Sequence, residues 1–537
     1  MSEQNLLDPL SDEREQNDVF HLDGKRTWLT PKRMLVMFTM CSFITYIDRG
    51  AFAVVLDDIE EHLEVSDLQK GILLGAYMFG FTFASPTFAH IANFHRPFRT
   101  MGFGLLVWCA AMFGCGFAPE FWTLLLSRTL TGIGEASFLC LAPPFIDTYA
   151  PADRRSAWLS VFFSVIPLGY AGGFSFAAVW STLAIKETLR WRTMLMAQGL
   201  MMLPFVAMAL LVKGPETMLQ VFAAKNVVSN VNSEDTTPHK KPTLRENINA
   251  LTSNKVYLCT VAGYAAQTFV VGGFAGFGPT YIVKVFGWSM FQAGVAFGGV
   301  AAVTGLFGTA AGGIALDKLV KRAQKQASTD DDYGTIVVDP ESSSQEGETP
   351  ASLAVQEEEE PSQSGDVSVH GIRSALRLIL CLSIGALPLG AVAFWVGAAL
   401  FFVLLVFAEG MLFAQLAPIN SVVMWSVPPR FRAFALACSV VMIHCFGDAI
   451  SPMLVGAIAD ATDNWRLAMF LLASWLLVSV SAFAAGLWFA STKAWERLFL
   501  RGDSQQENDD VNESVDARLL PSRSPEQRRQ SIVSAAY

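Results

Sequence analysis

Seven ionisable residues interrupt stretches of sequence that are otherwise almost wholly apolar: Asp48, Arg49, Arg128, Glu135, Glu409, His444 and Asp448. A charge at the centre of a bilayer costs about 2.5–3.5 kcal/mol on insertion scales, so such residues persist mainly where they pair or face a wet cavity. Asp48 and Arg49 are neighbours in "ITYIDRGAFAVVL" (Ile44–Leu56). Adjacent helical positions point about 100° apart, so the two need not pair with each other and partners are expected from other helices. "SRTLTGIGEASF" (Ser127–Phe138) offers them, because Arg128 and Glu135 lie seven residues apart. That spacing is two turns along one helical face, roughly 10 Å along the axis. The expectation is a cluster of two acids and two bases lining a cavity; a static ion network tying two helices together is the alternative. Gly132 and Gly134 would let a neighbouring helix come close.

His444 and Asp448 in "HCFGDAISP" (His444–Pro452) form an i, i+4 pair, with Gly447 and Pro452 able to loosen the helix. A titratable His beside a carboxylate is the chemistry of a proton relay, while a hydrogen-bonded pair pinning the helix to a neighbour fits equally. Glu409 is a lone intramembrane acid and, with His444 and Asp448, a secondary candidate. The sequence has no phosphate-binding glycine loop, metal-ligand cluster or nucleophile elbow, so no cofactor, no metal, no nucleic-acid partner and no enzymatic activity are expected.

The elements that must hold these residues are membrane helices. Of 537 residues, 52% are hydrophobic and only 16% charged, against about a quarter charged in soluble domains. A window of about 20 apolar residues crosses the hydrocarbon. Twelve such spans are expected, near 34–55, 69–92, 99–118, 121–146, 156–184, 191–212, 256–284, 291–316, 375–395, 397–424, 431–459 and 466–491. The net charge of -10 belongs to one segment, since residues 327–369 carry twelve carboxylates and no Lys or Arg. That composition, with the run Glu357 to Glu360, predicts a disordered acidic loop over 323–374. All eight cysteines (Cys41, Cys109, Cys115, Cys140, Cys259, Cys381, Cys438, Cys445) fall in apolar spans without a CxxC pair, so no disulfide or zinc framework follows. Residues 1–33 are polar and hold no cleavable signal, which leaves insertion to the first span.

Basic residues concentrate in alternate loops: Lys25, Arg26, Lys32 and Arg33, then Arg96 and Arg99, Arg154 and Arg155, Lys240, Lys241 and Arg245, Lys318, Lys321 and Arg322, and Arg430 and Arg432. By the positive-inside rule both termini are cytoplasmic. "APADRRSAWLS" (Ala150–Ser160) after the fourth span and "VPPRFRAFALA" (Val427–Ala437) after the tenth each place a Pro four residues before an Arg. "RWR" (Arg190–Arg192) before the sixth span answers "NWR" (Asn464–Arg466) before the twelfth. The chain thus reads as an all-α membrane protein of twelve transmembrane helices in two pseudo-symmetric six-helix halves, 34–212 and 256–491, with a cytoplasmic linker at 213–255 and a disordered tail at 492–537. Paired halves that rock about a midplane site are the architecture of secondary transporters. "GFGP" (Gly276–Pro279) reads as a helix breaker in the seventh span.

"GGIALDKLVKR" (Gly312–Arg322) resembles the loop signature of the major facilitator superfamily, and "IPLGYAGG" (Ile166–Gly173) resembles in part its antiporter motif, a helix weakened where it must bend. The loop resemblance implies a gating latch of Asp317, Lys318 and Arg322 with Arg155 and Arg432. In the first half Asn93 of "FAHIANFHRPFR" (Phe88–Arg99) stands where the superfamily has Asp, which implies a weaker latch there. "YIDRGAFAVVLDDIEEHLEVSDLQKGIL", "RTLTGIGEASF", "APADRRSAWLSVFFSVIPLGYAGG" and "IHCFGDAISPMLVGAIAD" resemble the first, fourth, fifth and eleventh helices of the Spinster transporters. The resemblance implies a monomeric carrier in a lipid bilayer moving lysophospholipids or sphingolipid-like lysolipids, driven by a proton gradient. It places coupling and substrate contact on Asp48, Arg49, Arg128 and Glu135. Rival readings are a carrier for a sugar or organic anion, a lipid sensor without flux, and an intramembrane lipid enzyme at His444 and Asp448. "EQNLLDPL" and "DARLLP" resemble dileucine sorting signals, each with its acid one residue too close, so a lysosomal or vacuolar membrane is expected, with the plasma membrane as alternative.

Overall fold

The computed structural model describes residues 30–92, 94–151, 155–183, 185–211, 244–332, 369–428, 431–492 and 495. Within them twelve helical spans are long and apolar enough to cross a membrane: Pro31–Val54, Asp67–Ile91, Pro97–Phe117, Phe121–Asp147, Trp158–Trp180 and Thr188–Leu211, then Lys255–Phe286, Met290–Arg322, Val369–Ala393, Ala398–Trp425, Phe434–Thr462 and Trp465–Ala490. They are numbered span 1 to span 12 here. All eight cysteines are free thiols.

The helix starts follow from local chemistry, and the halves repeat it. Thr30 caps span 1 with Pro31 at its first turn, where a missing N–H costs nothing. Span 2 and span 8, the second helix of each half, both open on a reciprocal capping box, Ser66 with Gln69 and Ser289 with Gln292. Arg192 of span 6 donates to the carbonyls of Gly116, in the last turn of span 3, and Ala118, just past its end. Arg466 of span 12 does the same for Phe394 and Val396 past span 9, at 2.9 and 3.4 Å. These are the two arginines that the "RWR" and "NWR" repeats share, and their shared task is to satisfy carbonyls that a helix end leaves without partners.

Interruptions also repeat. Span 4 breaks between Leu139 and Ala142 ahead of Pro143 and Pro144, and span 10 breaks at Gln415 ahead of Pro418. Two wide π turns lie in the second half, Thr304–Gly308 in span 8 and His444–Asp448 in span 11.

Several expectations need correction. Span 7 runs unbroken from Lys255 to Phe286 with Pro279 inside it, so "GFGP" does not break it. Its glycines serve contact instead: Gly276 meets Leu74 of span 2 and Gly278 meets Phe297 of span 8. The helix of span 5 is likewise continuous through Pro167, and its Gly169 and Gly173 let it lie against Tyr46 and Ile47 of span 1. The acidic segment is helical at both ends, since span 8's helix continues to Asp332 on good helix formers ("KRAQKQA") and span 9 begins at Val369. Residues 333–368 lie outside the described residues. The linker contains a helix, Leu244–Ser253. Asn93, Arg430, all of 213–243 and all of 492–537 except 492 and 495 lie outside the described residues, as does the side chain of Arg155.

The halves meet on the face opposite the termini. There span 2 packs on span 11, with Gly71 against Pro452 and Gly75 against Ala449, and span 5 packs on span 8 through Phe174 and Phe297 at 4.9 Å. Toward the face that carries the termini the halves part.

Candidate functional site

The partners that Asp48 and Arg49 require come from span 4, in crossed pairs. Arg49 Nη2 donates to Glu135 Oε1 at 2.9 Å. Arg128 Nη1 donates to both oxygens of Asp48, at 3.2 and 2.9 Å. Consecutive residues of span 1 therefore grip span 4 at two levels, as the seven-residue spacing of Arg128 and Glu135 allows. Asp48 and Glu135 are fully buried and Arg128 nearly so. Burying four charges is tolerable only because each is matched by an opposite charge and by hydrogen bonds.

Tyr77 of span 2 completes the arrangement. Arg49 Nε donates to its phenol oxygen at 2.7 Å, and the phenol donates to Glu135 Oε2, closing a ring of three side chains from three spans. Arg49 also lies over the rings of Tyr46 and Tyr77, at 4.7 and 4.9 Å, and Arg128 over Phe52 at 3.9 Å. Aromatic faces hold a guanidinium without supplying a negative charge. Sequence reasoning missed Tyr77, since a tyrosine in an apolar span reads as core.

The close approach depends on Gly132 and Gly134. A Cβ on Gly132 would stand 2.0 Å from the carbonyl oxygen of Tyr77, and one on Gly134 would stand 2.6 Å from that of Gly104. Spans 2 and 3 thus press against span 4 on either side of the buried pairs.

A cavity of about 350 Å³ lies between the halves, with Arg49, Tyr77 and Tyr170 on one wall and Glu409, His444 and Asp448 on the other. Arg49 and Arg128 edge it, whereas Asp48 and Glu135 are not among its lining residues and lie behind their arginines. The expectation that all four line the cavity therefore changes: the bases reach it and the acids back them. On the opposite wall His444 Nδ1 meets both oxygens of Asp448 at 3.0 Å within the π turn of span 11. Gly447 there has φ -104° and ψ -106°, outside helical values, and Ala449 N reaches back to the His444 carbonyl. Phe81 of span 2 meets the His444 ring edge-on at 5.6 Å. Glu409 stands beside Thr304 in the other π turn, and its Oε2 has no hydrogen-bond partner among the described residues.

The structure does not assemble the expected gating latch. Asp317, Lys318 and Arg322 are exposed, and no ion pair among the described residues includes them. Arg432 is partly buried with its Nε unpartnered. The halves part on this face, and Arg432, though in the same half as Asp317, forms no ion pair with it among the described residues. The closing contacts stand on the other face instead. Lys70 of span 2 is enclosed by Asp57 at 3.4 Å, Glu60 at 2.7 Å and Asp67 at 2.5 Å. From the second half Thr280 donates to Asp57 at 3.1 Å and Lys284 pairs with Glu60 at 3.6 Å. Burial pushes the Asp57 carboxyl up from its ordinary value, against the opposing pull of Lys70 and Lys284.

The profile of the Major Facilitator Superfamily matches residues 38–328. The probable sphingolipid transporter spinster homolog 2 of Arabidopsis thaliana is 30% identical over 502 residues, covering 89% of this chain and 91% of that one. Protein spinster homolog 1 of Homo sapiens is 24% identical, covering 82% of this chain and 76% of its own. Among solved structures, a bacterial homolog to the human lysosomal transporter spinster, inward-facing and unoccupied, aligns with a TM-score of 0.65 at 18% identity over 89% of this chain and 99% of that one. A D-xylose-proton symporter aligns with a TM-score of 0.58 at 15% identity over 85% and 96%.

Proposed function

The chain belongs to the spinster family of the Major Facilitator Superfamily and is a multi-pass membrane transporter, not an enzyme; on that premise we propose that it moves a lysophospholipid or sphingolipid-like lysolipid by proton-linked alternating access. The observation that carries the reading is the ring of Arg49, Glu135 and Tyr77 at the edge of the cavity between the halves. Arg49 faces the cavity with its charge balanced only by a carboxylate behind it. Proton uptake by Glu135, or by Asp48 behind Arg128, releases the basic partner. A freed guanidinium then binds an anionic headgroup, and the loosened seam between spans 1, 2 and 4 permits the other face to open. The words "sphingolipid transporter" in the names of the Arabidopsis relatives support the substrate class.

In this reading the chain acts as a monomer, its termini are cytoplasmic, and it resides in a lysosomal or vacuolar membrane. The alternating basic loops support the orientation, and the lysosomal human counterpart named for the bacterial structure supports the location. The test is uptake of a labelled lysolipid into proteoliposomes under an imposed pH gradient, with Glu135→Gln beside the wild type. Gln keeps an oxygen to accept from Arg49, turns a donating amide toward the Tyr77 hydroxyl and cannot take up the proton, so pH-driven uptake is lost while folding persists. Unchanged pH-dependent uptake overturns the coupling role.

A second reading, a carrier for a small polar solute, is favoured by the cavity's volume of about 350 Å³, which suits a headgroup better than a whole lipid. Competition of sugars and organic anions against the labelled lysolipid separates the two.

A further inference from the structure

On the face opposite the termini the halves meet along two seams, span 2 on span 11 and span 5 on span 8. The internal repeat relates them. The capping boxes of Ser66 with Gln69 and of Ser289 with Gln292 set the register, so Met290 in span 8 stands where Asp67 stands in span 2. Five residues past each serine a glycine makes the close approach: Gly71 meets the Pro452 carbonyl, and Gly294 meets the Phe174 carbonyl and Ala178. At the first seam Asp67 helps to enclose Lys70, and Trp465 of "NWR" faces that ammonium at 5.8 Å. At the second seam Met290 and Trp191, the tryptophan of "RWR", line one small cavity.

This cavity measures about 10 Å³, and Met290 is its one lining residue from the second half. The first half supplies the polar lining: Asp58, from the short helix Leu56–Leu63 that follows span 1, with Ser181, Arg190 and Trp191. Trp191 is fully buried, and its Nε1 has no hydrogen-bond partner among the described residues. Arg190 Nε is buried without one as well. Burial pushes the Asp58 carboxyl above its ordinary value and the charge of Arg190 pulls it back down, yet no ion pair among the described residues joins the two. Two N–H donors and a carboxylate thus border one small space. A cavity of roughly 10–15 Å³ holds a single water, which takes two to four polar partners. Here the donors suit its oxygen and Asp58 its hydrogens, whereas an anion would meet the negative charge of Asp58.

We propose that this cavity binds one ordered water that ties Asp58 to Arg190 and Trp191, and that Met290 is its stopper, so that the tie is held only while this face is closed. Where the first seam closes on a cage of charges, the second closes on an apolar side chain pressed over a bound water. Swinging span 8 away withdraws Met290 and lets bulk water exchange with the bound one, which frees the end of span 1 from the start of span 6. The device is separate from the central cavity and does not depend on which solute that cavity carries.

The test uses the full-length protein in phosphatidylcholine nanodiscs and X-ray-generated hydroxyl radicals, which oxidise buried side chains that lie beside bound water. Met194 lines the cavity and Met469 lies in the hydrophobic core of span 12, and both are fully buried. Met194 is expected to oxidise about tenfold faster than Met469. Asp58→Leu, which removes the acceptor, brings Met194 down toward Met469. Equal, slow oxidation of the two methionines overturns the bound water, and so does a loss of Met194 oxidation when gluconate replaces chloride, which would make this a site for an anion. The stopper is read from the rate at which a thiol introduced by Ser181→Cys is alkylated from this face. Met290→Ala raises that rate about tenfold, whereas Met290→Leu, which refills the space, changes it less than about twofold. Equal rates for the Ala and Leu variants overturn the role of Met290.

Discussion

Asp460 and Asp67 meet across the seam between the halves: the Asp460 carboxylate in span 11 accepts the backbone N–H groups of Asp67 and Leu68, at 2.9 and 2.8 Å, at the first turn of span 2. Four residues before it, Gly456 lies so near that a Cβ there would stand 2.1 Å from the Asp67 carbonyl oxygen. The negative side chain of one half thus caps a helix of the other, where unpaired N–H groups and the helix dipole favour it. The cap must break whenever this face opens. Asp460→Ala is expected to cost the closed state about 1 kcal/mol, since the contact is solvent-exposed. A thiol introduced at Leu74, behind the seam, would then be alkylated roughly fivefold faster from that face; an unchanged rate removes the cap from the gate.

Asp48 and Arg128 pair with each other alone, whereas Arg49 and Glu135 share Tyr77. Removing one member strands a charge, so Asp48→Ala should lower stability by about 3–5 kcal/mol. Asp48→Ala combined with Arg128→Met should recover part of that loss. Thermal unfolding in detergent reads both, and equal losses for the single and double variants would show that the charges do not interact.

Gly132 tests the seam between spans 2 and 4. Gly132→Ala drives a methyl into the backbone at Tyr77, which must move away from Glu135. The expected result is a stability loss of about 1–3 kcal/mol together with a changed pH profile of uptake. Gly410→Ala, where nothing lies within 4 Å of the added Cβ, serves as control.

The closed face should itself respond to pH. The closed state holds Asp57 buried among Lys70, Lys284, Thr280 and Glu60, with its carboxyl raised above the ordinary 3.8. Opening restores solvent and lowers it again. A group that binds its proton more tightly in the closed state favours that state as pH falls from the raised value toward the ordinary one, and the preference is lost as pH rises through the raised value. Acidifying this face should therefore slow alkylation of the Leu74 thiol, and Asp57→Asn should remove most of that dependence. A pH response that survives Asp57→Asn assigns the effect elsewhere.

Much of this was legible in the chain. Apolar length gave the twelve spans, and the arginines of "RWR" and "NWR" marked equivalent helix ends in the two halves. The need of Asp48 and Arg49 for partners in span 4 followed from charge and helical geometry alone. Which acid met which base did not, because the crossing depends on the register of spans 1 and 4. Tyr77 was hidden for the same reason: its phenol is polar only in the company of Arg49 and Glu135, 28 and 58 residues away. Asp460 looked like any acid at a helix end, and only the packing of span 11 on span 2 gives it a task. "GFGP" misled because a proline signals a lost hydrogen bond, whereas packing on both sides of span 7 keeps the helix whole.

The two π turns give the bundles unequal mechanical characters. Each is a turn wound one residue too loosely, both belong to the second half, and they flank the cavity from spans 8 and 11. A loose winding can migrate by a peptide and swivel everything beyond it, while the ion-locked first half has no such joint among its described residues. Among the described residues the second half alone carries such joints, so while its ion pairs hold, the first half is the stiffer of the two.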